Sequence, residues 1–346
     1  MTQETATRGT APAQSAGRGR GAAPYAVAGL ATLALVATTV TGGAEADASA
    51  AAFLDGRQLR IMAPAAPGGG WDQTARELQA TLRDTVGRTE VYNVTGAGGT
   101  IGLSQFARLH GQPTELMVMG LVMVGAIEAN DSPASLEDTT PLARLTTDYE
   151  VIVVPTDSPL NTTEDLVAAM RADLRAVSIA GGSAGGAEQI MAGLIASAID
   201  TDPAQVNYIA HSGGGEALAT VLSGRATAGV SGVSELAPQI TAGNMRALAV
   251  SSPQRLPALP DVPTLREGGV DVELANWRAI MAPADIDPAE EAVLEELIVD
   301  MAKSDAWQEV LDRRGWGDAL LAGPEFEDYV ASEQARVAQV LSEIGL

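Results

Sequence analysis

Short apolar segments, each followed by a glycine-rich turn and then by helical spacing, recur along this chain and limit how it can fold. The clearest is Arg60–Arg76, RIMAPAAPGGGWDQTAR, which opens into three consecutive glycines before a helix. Similar turns follow the apolar segments Glu90–Val94 and Ala176–Ala180. A helix that begins after such a turn leaves backbone N–H groups without partners, and its dipole adds positive potential there. The pattern predicts anion-binding turns at the carboxyl ends of parallel strands.

The strand–turn–helix units fall into two groups. Three units come first, and a second series begins at the strongest buried-strand signal, Tyr149–Pro155, YEVIVVP. Asn161 to Glu164 is predicted to form a capping box at the start of the next helix. We therefore predict two doubly wound α/β domains, which a chain of 346 residues can accommodate.

Composition excludes several classes of function. The formal net charge of −23 argues against binding to nucleic acid or to an anionic membrane, although converging amides could still hold a small anion. The chain has no cysteine, which excludes disulfides, thiolate metal sites and cysteine nucleophiles. Its two histidines, His110 and His211, leave little for zinc or general-base chemistry. No Asp/Glu/His cluster has metal-ligand spacing, so we predict no metal and no cofactor.

The N-terminal region has the pattern of an export signal. Residues 1–24 are rich in small residues and read as disordered, and Tyr25–Val40 is mainly apolar with arginines just upstream. Ala44 to Ala46 supplies a small–x–small cleavage pattern. We predict that residues 1–46 are a disordered N-terminus plus signal peptide, and that the remainder is exported to the periplasm or to the outer face of the cytoplasmic membrane. An uncleaved anchor is the alternative.

One glycine turn also matches an enzyme motif. Gly181 to Gly185 satisfy G-x-S-x-G between a strand and a helix, the nucleophile elbow of α/β hydrolases, with Ser183 as nucleophile. The histidine of a triad would have to be His211, which follows too closely for the intervening strands and helices. A secreted hydrolase that uses Ser183 therefore stays an alternative to the binding protein that we favour, for which no catalytic residue is expected.

A second turn is compared with the dinucleotide fingerprint. Gly96 and Gly98 supply the first two glycines of the pattern G-x-G-x-x-G, but Ile101 stands where the third glycine should be. No acidic residue follows a strand at the distance that ribose binding requires. We therefore interpret this turn, with the Thr100 hydroxyl, as a second element of an anion clamp.

The order of these motifs resembles the substrate-binding receptors of the tripartite tricarboxylate transporters, the family that includes the large Bordetella uptake-gene group. The resemblance runs from about residue 57 to the end. It is carried by PAAPGGGWDQTAR at 64–76, NVTGAGGTIG at 93–102, GGSAGG at 181–186 and RALAVSSPQRLPALPDVPTLREGG at 246–269. It implies a two-lobed clamshell of the type II periplasmic binding protein kind, with two crossing strands between the lobes. Domain I would comprise residues 57–147 and 250–346, and domain II residues 148–249.

The resemblance also implies a function. The family's ligands are carboxylates, held largely by backbone amides, small hydroxyls and ordered waters. The partners would be a large and a small membrane subunit of the transporter, with the receptor itself a monomer. The Gly-Gly-Gly-Trp-Asp turn favours a citrate-like ligand, whereas His211-Ser-Gly-Gly-Gly-Glu departs from the more usual Lys-Gly form and leaves ligand identity open. A carboxylate sensor for a receptor kinase is a further alternative.

The predicted ligand contacts come from the glycine turns of both domains. Asp72 is expected to cap its helix, Ser183 to donate from its hydroxyl, and Gly185 and Gly186 from their amides. Trp71 could contact the ligand or pack on the domain edge. The full set of predicted binding residues is Ala66, Gly68, Gly69, Gly70, Trp71, Asp72, Gly96, Gly98, Gly99, Thr100, Ser183, Gly185, Gly186, His211 and Ser231.

Overall fold

A computed structural model describes residues 52–54 and 56–346 of the chain. The predicted export signal at residues 1–46 lies outside the described residues. Within them, no helix combines the length and the apolar character that a membrane crossing requires.

The described residues form a mixed α/β structure. The strands are β1 Leu59–Ala63, β2 Thr89–Asn93, β3 Glu115–Gly120, β4 Thr139–Pro155, β5 Ser178–Gly181, β6 Asn207–Ala210, β7 Ala228–Gly232, β8 Met245–Val250, β9 Ala275–Pro283 and β10 Gly317–Ala322. The α-helices are α1 Gly70–Val86, α2 Thr100–Phe106, α3 Leu121–Ala129, α4 Thr163–Ala172, α5 Ala187–Ala198, α6 Gly214–Leu222, α7 Val233–Thr241, α8 Pro288–Lys303, α9 Asp305–Arg314 and α10 Gly323–Ile344.

The strands form two sections of sheet that share β4. In one section β1 pairs in parallel with β2 and β3, and β9 runs antiparallel between β3 and β4, with β10 also paired to β4. In the other section β5 pairs in parallel with β6 and β7, while β7 and β8 are antiparallel to β4. Each section thus has the predicted parallel strands, with antiparallel strands added where the chain crosses between sections. The predicted α/β class is confirmed.

Strand β4 passes from one section of sheet to the other in its middle. Its first part, Thr139 to Tyr149, pairs with β9, and Glu150 to Val153 then pair with β7. The sequence prediction that this strand starts at Tyr149 is wrong, because TTPLARLTTD is too polar to give a buried-strand signal although β9 and β10 cover it on both sides. The changeover brings β9 next to the carboxyl end of β7.

The predicted capping box of α4 is wrong by one residue. Thr162, not Asn161, is the N-cap, since its side chain accepts from the N–H of Asp165 at 3.2 Å. The Asp165 carboxylate accepts in return from the N–H groups of both Asn161 and Thr162. Two overlapping residue pairs fit the motif, and the pair whose carboxylate reaches both exposed amides is the one that forms.

The C-terminal helix α10 is fixed to β9 by a buried polar contact. Trp277 is fully buried and packs edge-on against Phe326 and Tyr329. Its Nε1–H donates to Glu333 Oε2 at 2.8 Å, and Arg336 donates to both oxygens of the same carboxylate. Helix α10 also contacts α3 and α5, so this contact holds an element that touches both sections of the structure.

We expect Glu333→Ala to lower the free energy of unfolding by roughly 2–4 kcal/mol, because it leaves the indole N–H and the Arg336 guanidinium without their partner. Glu343→Ala, on an exposed turn of the same helix, is the control and should change stability by less than about 0.5 kcal/mol. Urea denaturation of both variants measures the difference. Equal stability of the two variants would show that the contact contributes nothing.

Candidate functional site

The first glycine turn is held in shape by the side chain of Asp72, which is buried. Its carboxylate accepts from the N–H of Gly68 at 2.8 Å, from Asn93 Nδ2 at 2.9 Å and from Arg76 Nε at 2.9 Å. Burial by itself would raise the pKa of Asp72, but these hydrogen bonds lower it below its ordinary value. The Asp72 carboxylate therefore stabilises the turn, and only the backbone N–H of this residue is available to a ligand.

Three backbone N–H groups open from this turn. The N–H of Gly69 donates to the carbonyl of Ala66 at 3.1 Å and so closes the turn internally. Gly70, Trp71 and Asp72 form the first turn of α1, where no helical carbonyl lies one turn earlier to accept from them. The predicted donor set of the first turn thus reduces to these three amides.

The second turn packs against the first. Gly99 has a φ of +97°, and a Cβ at this position would lie 2.6 Å from the ring of Trp71. Trp71 accordingly fills the space beside this turn. The N–H of Gly99 donates to Gly96 O, and the Thr100 hydroxyl donates to Ala97 O at 2.9 Å. The hydroxyl that was predicted to meet a ligand is therefore used to close the turn.

The GGSAGG turn after β5 lies against the N-terminal half of the chain. A Cβ on Gly98 would lie 3.7 Å from Ser183 Cβ, and a Cβ on Gly125 of α3 would lie 1.9 Å from Gly185 O. A contact this close to Gly185 O leaves room only for glycine at position 125 of α3. The structure thus brings the second and third predicted turns together, as the clamp hypothesis requires.

Two of the donors predicted for the third turn are used inside it. The N–H of Gly185 donates to Gln189 Oε1 at 2.9 Å, and the N–H of Gly186 donates to Ser183 O at 2.9 Å. Of the groups predicted in this turn, the Ser183 hydroxyl is the one left as a proposed ligand donor.

His211 is engaged through both ring nitrogens. Nδ1 lies 3.1 Å from Gly181 O, and Nε2 lies 2.8 Å from the Thr220 hydroxyl. These contacts orient the ring within its own section of sheet, and Ser183 is not among its partners. The arrangement therefore does not assemble the Ser–His pair that a hydrolase would need.

Four acidic side chains gather at the carboxyl ends of β5 and β7, and we name them the carboxyl cluster. Two lie on β4 at its changeover, and the others lie in the first turns of α5 and α7. Glu150 Oε1 accepts from Asn276 Nδ2 at 3.0 Å, and Ser231 donates to Glu235 Oε2 at 3.1 Å. The members of the cluster are Asp148, Glu150, Glu188 and Glu235.

Burial raises the pKa of every member of the carboxyl cluster. The shift is largest for Glu150, where the charges of Glu188 and Asp148 add to burial, and the pKa of Glu188 rises to about 7. Arg278 opposes the rise for Asp148 and Glu235. Within the described residues, Oε2 of Glu150 and Oε2 of Glu188 have no hydrogen-bond partner. The cluster therefore keeps part of its protons near neutral pH.

Arg278, which sequence reasoning missed, lies between the carboxyl cluster and the first turn. It is 5% exposed, its Nη2 lies 3.5 Å from Asp148 Oδ2, and its guanidinium stacks over Trp316 with Cζ 4.8 Å from the ring centroid. A Cβ on Gly70 would lie 2.8 Å from Nη2. Among the described residues Nη1 has no partner. Its sequence signal was a lone charge in the apolar segment ANWRAIMAP.

Comparison with known proteins assigns the chain to a family. The model of the tripartite tricarboxylate transporter family receptor matches residues 74–346. The chain belongs to this family. Protein BugT of Bordetella pertussis is 29% identical to the receptor over 311 residues, which are 88% of this chain and 94% of that protein. The resemblance inferred from the glycine turns is confirmed, and the family is one of receptors.

Solved structures agree on the fold. Rpa4515 of R. palustris, solved with adipate, gives a TM-score of 0.74 at 22% identity and covers 84% of this chain and 98% of its own. MatC (Rpa3494) of Rhodopseudomonas palustris, solved with bound malate, gives 0.72 at 22% identity and covers 82% and 98%. The periplasmic binding protein BugD gives 0.73. The two-lobed clamshell expected from the sequence is confirmed.

The carboxyl cluster predicts a pH dependence of stability. A carboxyl group whose folded pKa lies above its unfolded value stabilises the fold most below the unfolded pKa, and this contribution is lost as pH rises through the folded pKa. For Glu188 the window runs from about 4.5 to about 7. We expect Glu188→Gln to gain stability relative to the wild type on going from pH 4.5 to pH 8, on the order of 2 kcal/mol.

Urea denaturation at both pH values measures this difference. Glu216→Gln is the control, because this exposed residue lies in the first turn of α6 and outside the cluster. The same pH dependence in Glu188→Gln and in the wild type would contradict the expectation.

Proposed function

We propose that this receptor captures a small organic carboxylate between its lobes, with citrate or another tricarboxylate as the favoured class, and delivers it to a tripartite transporter. The observation that carries the proposal is the open N-terminus of α1, with the N–H groups of Gly70, Trp71 and Asp72. The Trp71 ring packs against Gly99 of the second turn, and that turn lies beside Ser183 of the GGSAGG turn. Malate and adipate in the related structures of MatC and Rpa4515 support a carboxylate ligand.

The physical basis is a set of donors that is already oriented before the ligand binds. Amides at the start of a helix already point outward, and the helix dipole favours negative charge there. Closure of the lobes would exclude water from the carboxylate and strengthen each hydrogen bond to it. Ser183, which lies near Gly98 across the two lobes, is proposed to add a hydroxyl from the second lobe.

The same proposal covers domain organisation and location. We place domain I at residues 57–147 and 250–346 and domain II at residues 148–249, a division supported by the changeover of β4 at Tyr149 and Glu150. Residues 1–46 are proposed to direct export, after which the receptor acts as a monomer. Its partners would be the large and the small membrane subunits of the transporter.

A thermal-shift screen with citrate, tricarballylate, malate and adipate tests the proposal. A ligand that binds only the folded protein raises its stability, by about 2.7 kcal/mol at a concentration 100 times Kd. We expect at least one acid to raise the Tm and its fully amidated analogue to have no effect. No shift with any of these acids at millimolar concentration would contradict the proposal.

The same screen separates binding from the hydrolase alternative. Ser183→Ala should keep a clear Tm shift with the best acid, since it removes one hydroxyl and leaves the α1 amides in place. Ester hydrolysis by the wild type that disappears in Ser183→Ala would instead favour the enzyme.

A further inference from the structure

Two positive groups meet at the start of α1. The guanidinium of Arg278 lies against Gly70, the first residue of this helix, where the helix dipole is also positive. Asp148 is the acidic group paired with the arginine, and it contacts Nη2 at 3.5 Å. Positive charge at a helix N-terminus is unfavourable by itself, so the arrangement is complementary to an anion placed beside both groups.

The donors of Arg278 are not all used within the described residues. A guanidinium has five N–H donors and cannot lose its charge in a protein. Nη1 is buried and has no partner among the described residues, and an unpaired buried donor is destabilising, the more so when it is charged. Buried polar groups in native proteins are almost always satisfied. A group that arrives with the ligand would satisfy this donor.

We propose that Arg278 is the carboxylate anchor of the site: its Nη1 donates to a ligand carboxylate that also accepts from the N–H groups at the start of α1. This inference rests on the proposed function and deepens it, since it gives the site a dedicated cation in addition to backbone amides. Charge-assisted hydrogen bonds of this kind are about twice as strong as neutral ones. The site should therefore prefer an ionised carboxylate to a neutral amide of the same shape.

The competing explanation is that Arg278 only neutralises the carboxyl cluster. Asp148 and Glu235 both face its charge, and Trp316 covers one face of the guanidinium. Those contacts explain why the arginine is buried. The ion pair with Asp148 uses Nη2, however, and Nη1 has no partner among the described residues. The two explanations predict different ligand affinities for a protein in which Arg278 and Asp148 are neutralised together.

The test uses Asp148→Asn/Arg278→Gln, because removing the arginine alone would leave a buried carboxylate uncompensated and endanger folding. Calorimetry measures Kd for whichever of citrate, malate and adipate binds the wild type most tightly, and for its monoamide. We expect the double variant to weaken binding of the acid at least about 30-fold, as when a buried charge partner is truncated. Its preference for the acid over the monoamide should fall to less than half of the wild-type ratio.

Arg314→Gln is the matched control. Arg314 also lies over the Trp316 ring, at 5.8 Å, but its guanidinium pairs with Glu77. We expect its Kd to stay within about threefold of the wild type. An equal loss in Arg314→Gln and in the double variant would mean that disturbance of the indole, not the anchor, weakens binding, and would overturn the proposal.

Gly70→Ala tests the anchor without removing any charge. Its Cβ would lie 2.8 Å from Nη2 and so displace the guanidinium, whereas Gly215→Ala in α6 meets no atom within 4 Å and serves as control. We expect Kd to rise at least about tenfold in the first and to stay unchanged in the second.

The outcomes are distinguishable. A wild type that binds none of the acids contradicts the proposed function. A wild type that binds, together with a double variant or a Gly70→Ala variant of unchanged affinity, contradicts the anchor alone.

Discussion

The structure depends on one strand, β4, that pairs with both sections of sheet. Its pairing changes from β9 to β7 between Tyr149 and Glu150. The carboxyl ends of the parallel strands in the two sections therefore lie close together. The glycine turns at those strand ends then come together, with Gly98 beside Ser183, and Gly125 of α3 lies against the carbonyl of Gly185. The same changeover buries Asp148 and Glu150 where the ligand is proposed to bind. Fold and site thus share one backbone feature.

Electrostatics in this region is decided by position more than by net charge. Asp148, Glu150 and Glu188 are buried and Glu235 is half-buried, and Arg278 pairs with Asp148, within a chain whose formal charge is −23. Burial raises the carboxyl pKa values, which lowers the negative charge of the cluster near neutral pH. Arg278 keeps its charge and lies against the positive end of α1. A strongly acidic protein can therefore hold a site that attracts an anion, because a few short-range donors outweigh distant charge.

The sequence was informative where structure is local. Glycine turns, the strands before them and the helices after them were predicted correctly, since each is encoded in a few adjacent residues. Donor use was not predictable, because the acceptors of Thr100 and the ring partners of His211 are set by turn geometry and tertiary contact. Arg278 and strand β10 were missed for a related reason: their roles depend on what packs against them. The one signal of Arg278 in the sequence is its charge, which stands alone between Trp277 and Ala279 in an apolar strand.

The most direct test of the central claim is a crystal structure of the protein with the carboxylate that binds most tightly. We predict a carboxylate oxygen within about 3.2 Å of Arg278 Nη1, and the same carboxylate within hydrogen-bond distance of the N–H groups of Gly70, Trp71 or Asp72. A bound acid held only by other turns, with no contact to Arg278, would contradict the claim.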